Sequence, residues 1–323
     1  MLVKKIEPFL IWFMQWYIFY FSPPTLFKHF GGSLYGLMYC VIMTSGKWWG
    51  DPDSKPLLGL HGWQDNAATF DGIAPLLPKN VSLLALDLPG HGFSSWYPYN
   101  TCYNSSQGLL VLRQVVKYFE WDKISILGHS MGGAYGFLYA AVFPDDVDKL
   151  IMLDMARPMA ISPNQLVLDA QDIIQRCLKN NHMSLETGPR FTYDELVSRL
   201  FKGYRGSLTE ESCRVLLKRG AVKMPCGKYS FSRDPRLNST TSDLSAFPLS
   251  LIYSMAENIK CEVLNLKGKS GVNFISEKDY HNALQFIRKS AKKFEFHEVD
   301  GTHHFHLNEP SAAGSLIAQF LDV

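Results

Sequence analysis

The sequence predicts an α/β fold, a mostly parallel central sheet flanked by helices, with a helical lid inserted into it. Three observations lead there. From Pro56 onward, short apolar runs alternate with stretches of helical spacing, the pattern of a parallel sheet covered on both faces. One junction, Gly128-His-Ser-Met-Gly132, carries the G-x-S-x-G pattern of a strand that turns abruptly into a helix. The alternation then lapses between Arg157 and about Phe247 and resumes at Cys261.

Taken in order, Pro56 to Leu60 reads as a strand, Phe70 to Leu77 as a helix closed by Pro78, and Val81 to Leu86 as the next strand, leaving through the turn-rich Asp87 to Ser94. Gln107 to Phe119 has helical spacing and precedes the strand Lys123 to Leu127. Gly133 to Phe143 is a helix that Pro144 stops, and Val147 to Leu153 is a strand ending at Asp154. The span 157–247 has no clear strand; Gln165 to Leu178, Tyr193 to Phe201 and Glu210 to Leu217 read as its helices. So long a helical interruption between two strands suggests a lid over the sheet's carboxyl edge. Its Leu166, Ile173 and Leu196 either pack on the sheet or face a ligand, and Arg233-Asp234 reads as an internal ion pair rather than a substrate contact. Cys261 to Lys267 resumes the sheet, Tyr280 to Lys289 is a helix, Phe294 to Val299 is the last strand, and Ser311 to Leu321 closes the chain as a helix.

The turn at 128–132 carries the chemistry. A strand that kinks into a helix lifts the Ser130 hydroxyl above the sheet, and glycines at 128 and 132 permit the tight approach. A serine hydroxyl is a weak nucleophile at neutral pH, so it needs a base in contact and a third group to hold that base in one tautomer. His303, on the turn after the last strand, is the candidate base, ahead of His304 and His306. Asp154 is the candidate acid; the loop after Lys267 holds no carboxylate before Glu277, which stands as the alternative. An oxyanion formed during acyl transfer needs two donors: the Met131 N–H, at the start of the helix, and the Trp63 N–H, after His61-Gly62. Asp87 and His91 precede the nucleophile in the chain and read as loop-forming residues.

These segments resemble the α/β-hydrolase fold. Within it, the chain is similar to the serine hydrolase-like (kraken-like) proteins. The resemblance rests on Gly46-Lys-Trp-Trp-Gly50, His61-Gly-Trp-Gln-Asp-Asn66, Asp87-Leu-Pro-Gly-His-Gly-Phe-Ser-Ser95, the elbow at 128–133, Phe231-Ser-Arg-Asp-Pro-Arg-Leu237 and Gly301-Thr-His-His-Phe-His-Leu307. It implies a serine hydrolase acting on small ester-like substrates, with Ser130 and His303 at the matching positions. An acid at the end of the strand after the nucleophile also resembles some haloalkane dehalogenases. Those enzymes and the epoxide hydrolases of this fold use an aspartate nucleophile, so serine at 130 speaks against both activities.

The 323 residues are 46% hydrophobic and 19% charged, enough for one large domain with an insertion. A net charge of +2 and the lack of any lysine or arginine cluster give no case for nucleic acid. The six cysteines are scattered and include no C-x-x-C pair, which argues against both a zinc site and a compact disulfide framework, and a reducing compartment is the default reading. The hydrolase domain is expected over 46–323. Ahead of it, the apolar run Phe9 to Phe21, preceded by Lys4 and Lys5, reads as a short signal anchor, an interfacial aromatic segment or a packed helix. The protein is therefore expected in the cytoplasm or on a membrane through that segment, and secretion is the less favoured reading. The expected reaction is cofactor-free hydrolysis of a small-molecule acyl ester. The alternatives are a thioesterase, amidase or carbon–carbon hydrolase with the same nucleophile, or a ligand-binding protein on a hydrolase scaffold.

Overall fold

The computed structural model describes residues 16–20, 43–51, 54, 56–99, 101–179, 184–238, 247–271 and 275–322. Its strands are β1 (Trp16–Tyr20), β2 (Met43–Trp49), β3 (Leu57–Leu60), β4 (Leu83–Asp87), β5 (Ile124–His129), β6 (Val147–Leu153), β7 (Ala221–Lys223), β8 (Tyr229–Phe231), β9 (Glu262–Ser270) and β10 (Lys293–Thr302). Its helices are α1 (Ser105–Tyr118), α2 (Met131–Val142), α3 (Pro163–Lys179), α4 (Tyr193–Gly203), α5 (Glu210–Gly220), α6 (Leu249–Ala256), α7 (Glu277–Ser290), α8 (Phe305–Asn308) and α9 (Pro310–Leu321).

The main sheet has the order β1-β2-β4-β3-β5-β6-β9-β10. The β1–β2 and β2–β4 pairs are antiparallel, and every later pair is parallel. Parallel neighbours need crossovers, and helices packed on both faces supply them. β3 and β4 are buried along their whole length. One face buries Leu58, Leu60, Ile126 and Met152 beneath Phe137 and Tyr139 of α2. The other buries Leu127, Ile151 and Leu264 beneath Phe305, Ile317 and Phe320 at the carboxyl end. The parallel strands all deliver their carboxyl ends to one edge, so the loops after β3, β5, β6, β9 and β10 lie side by side there.

Four expectations need correction. Phe70 to Leu77 is not one helix but the 3-10 turns Ala67–Phe70 and Ala74–Leu76, because Pro75 supplies no N–H and Gly72 weakens the run. The boundary at 46 falls inside β2. The insertion contains a strand pair, β7 with β8, too short to show a period in sequence. Within the run Phe9 to Phe21, Trp16–Tyr20 pairs as an edge strand on β2 rather than as a packed helix; its other residues lie outside the described ones. Among the described residues, no helix is long and apolar enough to cross a membrane.

The two ends of the insertion meet where Ala160 bridges Phe247. Leu196 does not face a ligand: it packs in a core of the insertion's own with Leu200, Cys213, Leu216 and Leu217. Ile173 is buried too. α4 starts with a capping box between Thr192 and Glu195.

Candidate active site

The elbow is built from two backbone contacts. A Cβ on Gly128 would lie 2.3 Å from the Gly132 carbonyl oxygen, and one on Gly132 would lie 2.0 Å from that of Leu60, so neither position admits a side chain. Between them, Ser130 sits at φ 51°, ψ −116°, a conformation that costs a non-glycine residue about 1–3 kcal/mol. Its N–H is held by the Leu153 carbonyl at 3.0 Å. Ser130 occupies the N-cap of α2, yet its hydroxyl makes no capping bond. Met131 opens the helix, where first-turn N–H groups have no partner within the helix.

Asp154 leaves β6 at φ 51°. Its N–H donates to the Leu266 carbonyl at 2.7 Å, and its side chain lies beside the carboxyl end of β9. There Oδ1 accepts from the Gly268 N–H at 2.8 Å, and Oδ2 lies 2.6 Å from His303 Nδ1. Gly271 leaves room for this carboxylate, since a Cβ there would fall 2.5 Å from Oδ2. Of the two candidate acids, Asp154 is the one brought to His303. Glu277, half exposed at the start of α7, pairs instead with Lys267 at 3.2 Å and His281 at 3.1 Å. Of the three histidines on the turn, His303 is the one that meets Asp154. His304 Nδ1 bonds the Ser207 hydroxyl at 2.6 Å, and His306 Nε2 that of Thr69 at 2.9 Å.

The nucleophile strand and the base loop are also tied together. His129, the residue before Ser130, donates from Nε2 to the His303 carbonyl at 2.9 Å. Trp63 and Met131, the expected oxyanion donors, border one small cavity with Tyr97, Tyr103 and Tyr135, and the Trp63 carbonyl accepts from the Tyr204 hydroxyl at 3.5 Å.

Around this centre lies a polar layer that the sequence did not disclose. Asp65 Oδ1 accepts from the Tyr204 hydroxyl at 2.6 Å, and Oδ2 is 3.3 Å from both His129 Nδ1 and His304 Nε2. Burial alone would raise the Asp65 carboxyl, but His304 and His129 beside it hold it well below the usual range. Burial pushes His129 down to about 4 and also lowers His61, His91 and His306, since an imidazolium away from water is costly. Asp65 lies within the segment 61–66 and His129 within the elbow, so their positions, but not their meeting, were visible in sequence.

Asp87 and His91 do shape their loop: Asp87 accepts from the Ala67 and Phe93 N–H groups at 2.8 and 2.9 Å, and His91 Nε2 from that of Gln64 at 3.2 Å. Asp87 additionally receives Arg219 of α5, whose Nε lies 3.1 and 3.0 Å from its two oxygens. The expected Arg233–Asp234 pair is replaced by a different one. Asp234 Oδ2 accepts from Arg236 Nη2 at 2.6 Å and from the Tyr103 hydroxyl at 2.7 Å, while the Arg233 guanidinium lies 4.3 Å over the Phe231 ring. Adjacent residues in an extended chain point apart, whereas Arg236 is carried back by the turn Pro235–Asn238.

With this geometry in place, the likeness to known proteins is informative. A family model for the alpha/beta hydrolase fold matches residues 55–176. A Drosophila melanogaster protein named probable serine hydrolase is 38% identical over 277 residues, covering 85% of this chain and 83% of its own. The Homo sapiens serine hydrolase-like protein 2 is 33% identical, covering 86% and 90%. Among solved structures, the thioesterase domain from the curacin biosynthetic pathway superposes with a TM-score of 0.72 at 22% identity, over 94% of this chain and 99% of its own. An esterase from Mycobacterium tuberculosis does so with 0.63 at 19%, over 96% and 92%; at these identities they attest the fold. The full-length relatives, the sheet topology and the glycine-flanked serine agree: the chain belongs to the serine hydrolase-like proteins of the α/β-hydrolase superfamily.

Proposed function

We propose that this serine hydrolase is a carboxylic ester hydrolase acting on small acyl substrates without a cofactor. Ser130 Oγ attacks the acyl carbonyl, and His303 Nε2 takes the hydroxyl proton. Asp154 Oδ2 holds Nδ1 and stabilises the imidazolium that forms. The Met131 and Trp63 N–H groups receive the oxyanion. The tetrahedral adduct collapses, His303 returns the proton to the departing alkoxide, and an acyl group remains on Ser130. Water, deprotonated by His303, then attacks the acyl carbon, and the acid leaves as Ser130 regains its proton.

The observation that carries this reading is the 2.6 Å contact between Asp154 and His303. It fixes one tautomer of an imidazole whose own loop is bonded to the residue before the serine. Ser130 supports it by standing in a strained conformation with its hydroxyl unused as a cap.

The test is fluorophosphonate labelling with turnover of a short-chain acyl ester. The intact protein is expected to label and turn over, and Ser130→Ala to do neither, with kcat lowered about 10⁶-fold. Equal labelling of both removes Ser130 from the mechanism. Labelling without ester turnover, but with turnover of a matched acyl thioester or anilide, moves the assignment to another leaving group.

A further inference from the structure

Beside the elbow, Asp65, His129 and His304 converge with their side chains almost wholly shut off from solvent, at 0%, 1% and 3% exposure. Each offers one ligand atom, and those atoms lie within 4.8 Å of one another. Asp65 Oδ2 stands 3.3 Å from His129 Nδ1 and 3.3 Å from His304 Nε2. Two ligands at a tetrahedral angle about a zinc ion, each roughly 2.1 Å from it, are separated by roughly 3.4 Å.

From this convergence we infer that Asp65, His129 and His304 form a binding site for one divalent transition-metal ion of the zinc class. The outer partners are those a metal site requires. His129 Nε2 donates to the His303 carbonyl at 2.9 Å, leaving a lone pair on Nδ1. His304 Nδ1 is bonded to Ser207 at 2.6 Å, leaving Nε2 to the cluster, and the Tyr204 hydroxyl holds the other Asp65 oxygen at 2.6 Å. Each prospective ligand is thus oriented through its far atom, the usual arrangement in histidine and carboxylate metal sites.

The near atoms lack what the far atoms have. Asp65 Oδ2 and His129 Nδ1 are buried with no hydrogen bond. With Nε2 as donor, a neutral His129 turns its Nδ1 lone pair toward a carboxylate oxygen, an arrangement that a cation between them converts from repulsion to attraction. Two imidazoles and one carboxylate suit zinc, nickel or cobalt better than calcium or magnesium, which prefer all-oxygen shells. The ligands come from the loop after β3, the end of β5 and the loop after β10, so a bound ion would cross-link three loops of the carboxyl edge. Its role is to fasten them, and the inference holds whether or not Ser130 is the nucleophile.

The experiment strips the full-length protein with a chelator and titrates it with zinc by calorimetry. Cobalt-loaded protein is examined by visible absorption and X-ray absorption at the cobalt edge. One ion per chain is expected, together with a rise of several degrees in melting temperature. The cobalt edge should show imidazole scattering without sulfur, and Asp65→Asn and His304→Gln should each weaken binding at least about tenfold. The inference fails if no ion binds in stoichiometric amount, if both variants bind as the parent does, or if cobalt shows a thiolate charge-transfer band, which would direct it to cysteine. Should either variant not fold, the absorption spectra of the parent decide alone.

Discussion

The carboxyl edge of the sheet and the insertion that packs on it hold their polar groups by different means. At the edge the main chain does it. The Ser130 and Asp154 N–H groups are fixed by carbonyls of neighbouring strands, and the Asp154 carboxylate is fixed by the Gly268 N–H. The insertion instead reaches back through side chains: Arg219 to Asp87, Tyr204 to Asp65, Ser207 to His304 and Asp234 to Tyr103. Main-chain contacts hold regardless of the side chain, so substitutions of Ser130 and Asp154 should change chemistry and leave the fold standing. These side-chain contacts, spanning 97 to 139 residues, are part of the attachment, so substitutions there should change stability first.

Asp154→Asn is the largest expected departure. The amide keeps the shape and the Gly268 bond but no longer holds the charge that stabilises imidazolium, and turnover of an acyl ester should fall about 10³–10⁴-fold. The thermal transition should move little by comparison. A variant that keeps turnover within tenfold would remove Asp154 from the proposed triad and break the contrast on its chemical side.

Arg219→Met tests the other side. Arg219 and Asp87 are both buried, and removing the cation leaves the carboxylate without its charged partner in a low-dielectric setting. A loss of about 3–5 kcal/mol is expected, read as a fall in the urea midpoint at unchanged slope. The double variant Arg219→Met with Asp87→Asn should recover part of it, because the orphaned charge is gone. Unchanged stability in the single variant would mean that the Arg219–Asp87 pair does not help to hold the insertion.

The same division decides what could be read from sequence. The succession of strands and helices along the chain, the elbow, and the positions of Asp154 and His303 follow from local patterns: an apolar run, a glycine on each side of a serine, a carboxylate just past a strand. Those patterns were legible because each is written in consecutive residues. Asp87 reads as a loop former, and it is one. Its second partner lies 132 residues away, and no local spacing announces it. Adjacency in sequence points to Arg233 as the partner of Asp234, whereas the turn Pro235–Asn238 carries Arg236 to it. The cluster of Asp65, His129 and His304 is invisible for the same reason, its members being brought together only when strands far apart in the chain become neighbours. The β7–β8 pair was missed because three residues per strand cannot display a period of two.

Acid should weaken the fold through the buried histidines. His129 titrates near 4 when folded and near 6.5 when exposed, so below 6.5 the unfolded chain takes up the proton first. Stability is therefore fully present above about pH 6.5 and is lost as pH falls toward 4. His61, His91 and His306 are lowered by burial and act in the same sense. Chemical denaturation at a series of pH values should show a decline steeper than a single histidine gives, and His306→Gln should make it shallower. A flat profile across this range would show that these imidazoles carry protons in the folded protein.

The smallest effect should come from Glu277, the carboxylate that follows the resumed strand in sequence and yet plays no part at the edge. Lys267 and His281 hold its carboxyl below the usual range, but the pair is half exposed, and exposed pairs contribute roughly 0–1 kcal/mol. Glu277→Gln should therefore leave kcat/KM for an acyl ester within about twofold and change the unfolding free energy in urea by less than about 1 kcal/mol. The comparison with Asp154→Asn isolates geometry from composition: both residues are carboxylates that follow a strand of the same sheet. Only the one whose N–H is pinned by a neighbouring carbonyl reaches His303. If Glu277→Gln lowered turnover as far as Asp154→Asn does, the base would have to exchange partners during the reaction, and a main chain fixed at φ 51° could not be what selects the acid.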